Sequence, residues 1–436
     1  MAITLKPACA ISACALLLCV TAAAQNHFTI DTQLTGENYV EKKLTYQITV
    51  KERRTTSQGD TSARLSYPPG DAPAQWAIPL AESIMARYPD YRTAYYKDYT
   101  YVHGYAFEAF DRLYDATGDG RFLDYIRDYI DHFVDRDGHY RGGALTNLDN
   151  FMTGSAFCTL YRRTGDEKYR TAATQILSAV EGYPSCDGQF WHGNKSPAMW
   201  IDGVFMMQMF LIRYAQHIGR SEYCYDIACR NVLAAAKHLQ RPDGLLLHAW
   251  TTTPDKVAWA DPDTGLSPES WSEGMGWYVL VTAELLAVLP RSHKDYGAIA
   301  DIYRRMALGL KQTQDPRTGG WFMVVDKGDN PVNFIDPSGT AMFVYAIRRG
   351  VELGLLPGKQ YLPVAQDGYR CLYPFIVVND HGLLDVVGGC DGVPVKKDFL
   401  SYVTIPKMTN AKETVVGMLW AAVIMELSAD GTAGTR

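Results

Sequence analysis

The sequence predicts an all-α fold, a closed ring of about six helical hairpins over residues 74–436. From Ala74 onward, amphipathic helical segments of about 12 to 18 residues alternate with Gly-rich connectors, and strand-like alternation is scarce. Connectors at one end of the helices are short, and those at the other end are long and rich in His, Trp and acidic residues. An open solenoid is the alternative, but a closed ring explains better why one acidic centre lies among apolar segments.

The first 73 residues differ in character from the rest. Residues 1–24 contain one Lys, an apolar run over 8–20 and three Ala at the end, which is typical of a secretory signal. We therefore expect a secreted protein, exported to a bacterial periplasm. Residues 25–73 are polar and partly β-like, and we expect them to form a short N-terminal extension outside the ring.

Composition limits the partners. The 436 residues are 47% hydrophobic and 12% aromatic, enough for a large core, and the net charge of −6 without a basic block gives no support for nucleic-acid binding. No segment after the signal reaches the ~18 continuous apolar residues of a membrane span. There is no paired C-x-x-C and no H-E-x-x-H, so neither a metal nor another cofactor is expected. We expect a monomer.

A weak internal repeat marks the short connectors. Residues 107–122 (FEAFDRLYDATGDGRF) and 157–169 (FCTLYRRTGDEKY) share Thr-Gly-Asp between two helical segments. Gly can end one helix in a left-handed conformation, and Asp can cap the next helix. These residues are predicted to shape connectors and not to form a site.

The stretch 197–212 (PAMWIDGVFMMQMFLI) contains a single ionisable residue, Asp202. A carboxylate among such apolar neighbours is paired, neutralised or aimed into a cavity, because burying it alone is costly. Desolvation also raises a carboxyl pKa, which suits a group that gives and takes back a proton near neutral pH. Asp202 could instead cap the helix, and both roles can hold together.

The long connectors carry further candidates. Asp149 either caps a helix that starts near residue 151 or is a second carboxylate in the cavity. His192, beside Trp191, is either a hydrogen-bonded loop histidine or part of a wall that faces a sugar. The loop containing His248 and Trp250 is long enough to suggest a function, since Trp faces stack on sugars, although these rings could simply pack the loop.

The segment 271–277 (WSEGMGW) opens the next apolar helix. Its two Gly residues allow close backbone approach, and the helix N-terminus offers N–H donors. Glu273 is a third possible acid, between Trp271 and Trp277.

Taken together, these motifs resemble the unsaturated rhamnogalacturonyl hydrolases of glycoside hydrolase family 105, relatives of the family 88 unsaturated glucuronyl hydrolases. The main motifs that carry this resemblance are M-W-I-D-G-V-F-M at 199–206, H-A-W at 248–250 and W-x-x-G-x-G-W at 271–277. Further matches are L-D-N at 148–150 with Gly154, the Thr-Gly-Asp-x-x-Tyr connector, WFMVVD at 321–326, SGTAMF at 338–343 and the closing segment 410–426. The similarity spans about residues 75–427, and the order and spacing of the motifs make it specific.

The resemblance implies an (α/α)6 barrel and hydration of a C4=C5 double bond in a terminal unsaturated uronate left by a polysaccharide lyase. An acid protonates C4, water captures the cation at C5, and the hemiketal collapses to release the rest of the oligosaccharide. Carried over residue by residue, Asp202 is the acid and base and Asp149 the second catalytic carboxylate. The implied substrate-binding or water-positioning residues are His192, His248, Trp271, Glu273, Trp277, Tyr101 and Trp250.

Two positions depart from the family pattern. The third position of W-x-R-G-x-G-W is Glu273 instead of Arg, and a guanidinium is the natural partner of a uronate carboxylate. The segment W-x-Y-x-x-G appears with Tyr99 in place of Trp, so an aromatic residue and Tyr101 are both kept.

Two other functions remain open at this point. An ordinary inverting glycosidase would use Asp202 with Asp149 or Glu273 as a carboxylate pair. A non-catalytic glycan-binding relative is suggested by the change from Arg to Glu273.

Overall fold

A computed structural model describes residues 75–95 and 97–427. The predicted signal (1–24) and the β-like extension (25–73) lie outside these residues. Helices make up 58% of the structure, and its strands are few and short, as predicted for an all-α fold. Among the residues described, no helix is long and apolar enough to cross a membrane.

Six inner helices form a closed ring, and each pairs with an outer helix. The inner helices are α2 (Tyr101–Thr117), α5 (Gly154–Thr164, preceded by the short α4, Asp149–Met152), α7 (Ile201–His217), α9 (Ser272–Val288), α11 (Pro337–Glu352) and α14 (Lys412–Glu426). Their outer partners are α3 (Gly120–Ile130), α6 (Glu167–Glu181), α8 (Ser221–Leu239), α10 (Tyr296–Thr313), α12 (Gly358–Leu372) and α1 (Ala77–Arg87). Each inner helix packs against two inner neighbours, so the ring is closed. The predicted (α/α)6 barrel is confirmed.

Burial explains which helices lie inside. The inner helix α9 is buried along nearly its whole length, and α14 is buried similarly, as expected of helices that are apolar all round. The outer helix α3 buries only one face, at Phe122, Tyr125, Ile126, Tyr129 and Ile130. Apolar periodicity therefore sorts the helices into two layers.

Hydrogen bonds join two helices from opposite ends of the described chain. The carboxylate of Glu426 in α14 accepts hydrogen bonds from the backbone N–H groups of Trp76 (2.7 Å) and Ala77 (2.9 Å) at the start of α1. Burial raises the pKa of Glu426 to about 7. A hydrogen-bonded carboxyl thus joins the first outer helix to the last inner one.

The short connectors have the predicted construction. Gly118 and Gly165 adopt φ values of 70° and end α2 and α5 in the left-handed conformation. Asp119 and Asp166 follow as N-caps, and each accepts a backbone N–H two residues later, both at 3.0 Å. The repeat in the sequence is therefore a repeat of turn chemistry.

In the described residues the long connectors contain four two-stranded antiparallel sheets and one short helix, α13 (Phe399–Val403). The pairs are β1 (Ser185–Cys186) with β2 (Gln189–Phe190), β3 (Ala198–Trp200) with β4 (Ala249–Thr251), β5 (Ile376–Val378) with β6 (Leu384–Val386), and β7 (Gly389–Cys390) with β8 (Lys407–Met408). These sheets fix long loops at the end of the barrel where the inner helices begin.

A buried ionic network lies inside the helical ring. Glu284 of α9 accepts hydrogen bonds from Arg112 (2.6 Å), Arg213 (2.8 Å) and the hydroxyl of Tyr345 (2.7 Å). Arg213 also contacts Glu108, at 2.6 Å. Burial alone would raise the pKa of Glu284, but the guanidinium groups outweigh burial and hold this pKa well below its usual range.

Replacing Glu284 with Gln should lower the free energy of unfolding by about 3 kcal/mol or more, because two buried guanidinium groups lose their shared carboxylate. Urea unfolding followed by circular dichroism at pH 7 measures this. Asp301→Asn is the matched control, since Asp301 is 72% exposed and pairs with Arg304 on the outer helix α10. The control should change stability by less than about 0.5 kcal/mol. Equal effects of the two variants would contradict the prediction.

Candidate active site

The site lies where the inner helices begin, and each inner helix contributes a polar side chain from its first turn. The contributing residues are Tyr101 (α2), Asp149 (α4, leading into α5), Asp202 (α7), Glu273 (α9), Ser338 (α11) and Glu413 (α14). Four of these side chains are carboxylic acids. Carboxylates are favoured at helix N-termini, where the backbone N–H groups carry partial positive charge.

Main-chain hydrogen bonds tie the loops of the site together. The N–H of Leu148 donates to the carbonyl of His192 (2.9 Å), and the N–H of His192 donates to Ala198 (2.8 Å). The N–H of Ile201 donates to the carbonyl of His248 (2.9 Å), beside the β3–β4 pairing. Loops that are distant in sequence therefore place Asp149, His192, Asp202 and His248 at one end of the barrel.

Asp202 is the second residue of α7, a helix that begins directly after β3. The N-cap of the helix is Trp200, and no side chain caps this end, so the capping alternative for Asp202 is wrong. Its Oδ1 atom is buried and has no hydrogen-bond partner among the described residues, although 16% of the side chain is exposed. Burial raises the pKa of Asp202 to about 6, with a further rise from Asp149 and an opposing effect of His192.

Asp149 lies beside Asp202 and His192. The side chain of Asn147 accepts the N–H of Asp149 at 2.9 Å, and the N-cap of α4 is Leu148 without a side-chain cap, so the capping alternative for Asp149 is wrong. The Asp149 Oδ1 atom is 3.8 Å from His192 Nε2. One donor atom from each of Asp149, His192 and Asp202 lies within 4.8 Å of the others, a spacing that could also hold a divalent cation.

His192 forms part of an aromatic wall. Its ring stacks on Trp200, with centroids 4.4 Å apart and planes at 13°. Gly203 makes this position available, because a Cβ atom on Gly203 would lie 2.9 Å from His192 Nδ1. That Nδ1 atom is buried without a hydrogen-bond partner in the described part of the chain.

His248 faces Asp202 from β4's side of the site. Its Nε2 atom is 4.0 Å from Asp202 Oδ1, and its Nδ1 atom is 2.7 Å from the hydroxyl of Tyr402. The ring of Trp271 packs against the imidazole at a centroid distance of 4.5 Å. Burial lowers the pKa of His248 well below its usual value, so this imidazole is neutral near pH 7.

Glu273 and Glu413 form a buried acidic wall. The Glu273 carboxylate contacts the Ser338 hydroxyl at 2.6 Å, and Glu413 accepts a hydrogen bond from Tyr101 and pairs with Lys412 at 2.8 Å. Burial raises the pKa of both glutamates, and each negative charge opposes ionisation of neighbouring acids. Both glutamates are therefore harder to ionise than exposed ones, and Glu273 is bonded to the barrel wall through Ser338.

Two of the tryptophans predicted to contact substrate lie elsewhere than at the Asp202 cluster. Trp277 is 1% exposed and packs in the core against Tyr105 and Phe205, with an edge toward Tyr101. Trp250 stacks on His238 of α8 at a centroid distance of 3.8 Å. In this structure Trp277 supports the site from behind, and Trp250 packs its loop against an outer helix.

Sequence reasoning missed Trp200, Tyr402 and Glu413. Glu413 had a usable signal, because it is an acid in the first turn of an apolar helix, as Asp202 is. Trp200 directly precedes Ile201 and could have been weighed with the other aromatic residues. Tyr402 lies on a five-residue helix in a polar segment, and its sequence context carries no signal of its contact with His248.

Replacing Asp202 with Asn should stabilise the protein at pH 7. The folded-state pKa lies above the unfolded value, so the stability due to protonation is fully present below pH 3.8 and is lost as pH rises through about 6. The rise in the pKa of Asp202 corresponds to about 3 kcal/mol at most. We therefore expect Asp202→Asn to raise the free energy of unfolding by about 1–3 kcal/mol at pH 7.

Thermal and urea unfolding between pH 4.5 and 7.5 would measure the gain, which should shrink toward the acidic end. Asp301→Asn, at an exposed position, should show no such pH-dependent gain. A variant at Asp202 that is less stable than the wild type at pH 7 would contradict the prediction.

Comparison with known proteins identifies relatives that match about two fifths of the chain. Protein Atu3128 of Agrobacterium fabrum is 33% identical over 168 residues, which cover 37% of this chain and 68% of that protein. The unsaturated 3S-rhamnoglycuronyl hydrolase of Formosa agariphila is 23% identical over 178 residues, covering 40% of this chain and 45% of that enzyme.

Solved structures share the fold. A family 105 glycoside hydrolase of C. acetobutylicum superimposes with a TM-score of 0.75 at 29% identity, covering 81% of this chain and 99% of that one. The unsaturated glucuronyl hydrolase of Bacillus sp. GL1 superimposes with a TM-score of 0.58 over 82% of this chain and 96% of that one, and at 15% identity it shows a common fold only. The sequence profile of Glycosyl Hydrolase Family 88 matches residues 76–428, and the chain belongs to this family of glycoside hydrolases.

Proposed function

We propose that the protein removes a terminal 4,5-unsaturated uronic acid from lyase-generated oligosaccharides by hydrating the C4=C5 double bond. The observation that carries the proposal is the Asp202 carboxyl group, which has a pKa near 6 and a buried oxygen without a partner among the described residues. The names of the Formosa and Bacillus relatives point to the same substrate class.

The chemistry needs one carboxyl group that is first an acid and then a base. Protonated Asp202 gives its proton to C4, and the positive charge develops at C5, shared with the ring oxygen. Water attacks C5 and returns a proton to Asp202, so the carboxyl group is regenerated. The resulting hemiketal opens and releases the remaining oligosaccharide as an alcohol. A pKa near 6 suits both steps near neutral pH, because protonated and ionised forms are both populated.

The neighbours of Asp202 suit this sequence of steps. Asp149 places a second carboxyl group near the position where cationic character would develop. His192 lies within reach of the same region and could orient the attacking water. Trp200 and Tyr101 are partly exposed and offer aromatic surface to the sugar ring. Trp271 is 2% exposed and supports the site by packing against His248.

Carboxyl spacing argues against an ordinary inverting glycosidase. Inverting enzymes separate their two carboxyl groups by about 6.5–9.5 Å to admit a water molecule between them and the anomeric carbon. One carboxylate oxygen of Asp149 lies within 4.8 Å of one carboxylate oxygen of Asp202. The pair is better suited to act on one side of a flat, unsaturated ring.

The acidic wall shapes the proposed specificity. Glu273 replaces the Arg of the resembled pattern, but its carboxyl group is bonded to Ser338 and its pKa is raised by burial and by Glu413. Glu273 would not repel a uronate carboxylate in its protonated form, which this shift favours. We further propose that the enzyme acts as a monomer after export to the periplasm, where lyase products would reach it.

The direct test follows the ultraviolet absorbance of the conjugated double bond in a panel of lyase products. We expect absorbance to fall with the wild type, no action on saturated oligosaccharides of the same sugars, and no effect of EDTA. Asp202→Asn should lower kcat by about 10³-fold or more, the scale of removing a general acid–base group, while oligosaccharide binding is retained. Cleavage of saturated substrates, or full activity of Asp202→Asn, would contradict the proposal.

A second test concerns Glu273. Because Gln resembles a protonated Glu, Glu273→Gln should keep kcat/KM on the best unsaturated substrate within about threefold at pH 6. A loss of about 100-fold, or about 2.7 kcal/mol, would mean that the ionised carboxylate of Glu273 is needed. Ser338→Ala provides a comparison, since it removes the hydroxyl that contacts Glu273 without changing a charge.

A further inference from the structure

Tyr402 contacts the proposed site through one hydrogen bond that no sequence motif indicated. The residue lies on α13, between β7 and β8, and is 0% exposed. Its hydroxyl oxygen is 2.7 Å from Nδ1 of His248. The opposite nitrogen of the same imidazole, Nε2, points toward Asp202.

The available protons fix the direction of this hydrogen bond. The Tyr402 oxygen accepts the backbone N–H of Lys396 at 3.2 Å. Burial raises the pKa of Tyr402, so the phenol keeps its single proton. Among the described residues, the other polar atom within hydrogen-bond distance of this oxygen is His248 Nδ1. The phenol therefore donates to Nδ1, which must be unprotonated.

The alternative arrangement leaves a polar group unsatisfied. If Nδ1 carried a proton and donated to Tyr402, the phenol proton would have no acceptor in the described part of the chain. An unsatisfied donor in a buried setting is costly enough to disfavour this form by about tenfold or more. Because the buried imidazole is neutral, its single proton is then on Nε2.

We propose that Tyr402 is a positioning residue that holds His248 in its Nε2–H tautomer, so that this N–H faces Asp202. The inference rests on the proposed function of Asp202. The two facing atoms, His248 Nε2 and Asp202 Oδ1, are 4.0 Å apart, and both are buried without a hydrogen-bond partner in the residues described. The gap is too long for a direct hydrogen bond, but a small movement or an intervening substrate oxygen would connect them.

The tautomer determines what His248 can do during the reaction. An Nε2–H group donates a hydrogen bond to the Asp202 carboxylate once that group has given its proton to C4, or to an oxygen held between the two. It does not accept the proton, so Asp202 remains the base for the attacking water. With the other tautomer, a lone pair would face the carboxylate and destabilise its ionised form.

The surroundings of His248 hold the ring in this orientation. Trp271 packs against the imidazole, and Trp200 approaches it edge-on at a centroid distance of 6.1 Å. Besides burial, His192 and Lys396 lower the pKa of His248, and both therefore disfavour a positive imidazole. Tyr402 adds the specific choice between the two neutral tautomers.

Nitrogen NMR of the histidine side chains tests the tautomer directly, independently of turnover. In the wild type, labelled with ¹⁵N-histidine and assigned with His248→Gln, we expect His248 to show an Nε2–H pattern at pH 7. Tyr402→Phe should convert His248 wholly or partly to the Nδ1–H form. An Nδ1–H pattern in the wild type, or an unchanged tautomer in Tyr402→Phe, would overturn the proposal.

Kinetics test the consequence. Tyr402→Phe should lower kcat on unsaturated substrate by about 10- to 100-fold with KM changed less than about threefold. It should also move the alkaline limb of the pH profile, which Asp202 sets as the acid, to higher pH, because the other tautomer destabilises the ionised carboxylate. Tyr278→Phe is the control, since Tyr278 is also fully buried and donates to the Val232 carbonyl at 2.8 Å. It should preserve kcat while showing any general cost of losing a buried hydroxyl.

A double variant separates positioning from an independent role. If Tyr402 acts through His248, adding Tyr402→Phe to His248→Gln should change kcat by less than about threefold. A further loss as large as that of Tyr402→Phe alone would overturn the inference. If the wild type turned over no unsaturated substrate, the proposed function would fail, whereas the NMR result would still decide the tautomer.

Discussion

The main-chain hydrogen bonds between the long loops are the constraint on which the site depends. Leu148 to His192 and Ile201 to His248 are two of the links that join separate loops at this end of the barrel. Long loops have many conformations, and their side chains would otherwise be poorly placed. Because these links use backbone atoms, they help to fix the position of Asp202 relative to its neighbours without using its side chain.

Much of the fold could be predicted because its signals are local. The Gly-Asp turns, such as Gly165 followed by Asp166, follow from the conformational freedom of Gly and the capping chemistry of Asp. Closure of the ring was inferred, but contacts between its two ends leave no local pattern: the hydrogen bond from Trp76 to Glu426 joins residues 350 positions apart. The strands were missed because segments of two or three residues are too short for alternation to register.

The site could be predicted only in part, for the same reason. Asp202 was recognisable because a lone acid in an apolar helix requires a physical explanation. The position of Asp202 beside His248 depends on the pairing of β3 with β4. The hydrogen bond between His248 and Tyr402 joins residues 154 positions apart. Composition also could not distinguish Trp271, which packs on an imidazole of the site, from Trp277, which lies in the core behind it. Only three-dimensional packing separates these roles.

Desolvation acts on the carboxyl groups of both Glu284 and Asp202, but their pKa values are shifted in opposite directions. Burial opposes ionisation of both Glu284 and Asp202, but guanidinium groups around Glu284 reverse the effect, whereas Asp202 has no guanidinium partner among the described residues and a neighbouring Asp149. Glu284 is thus permanently ionised and structural. Asp202 is left able to exchange a proton near neutral pH, because no cationic side chain of the described residues pairs with it as the guanidinium groups pair with Glu284. A neutral His248, which cannot take that proton, preserves this condition.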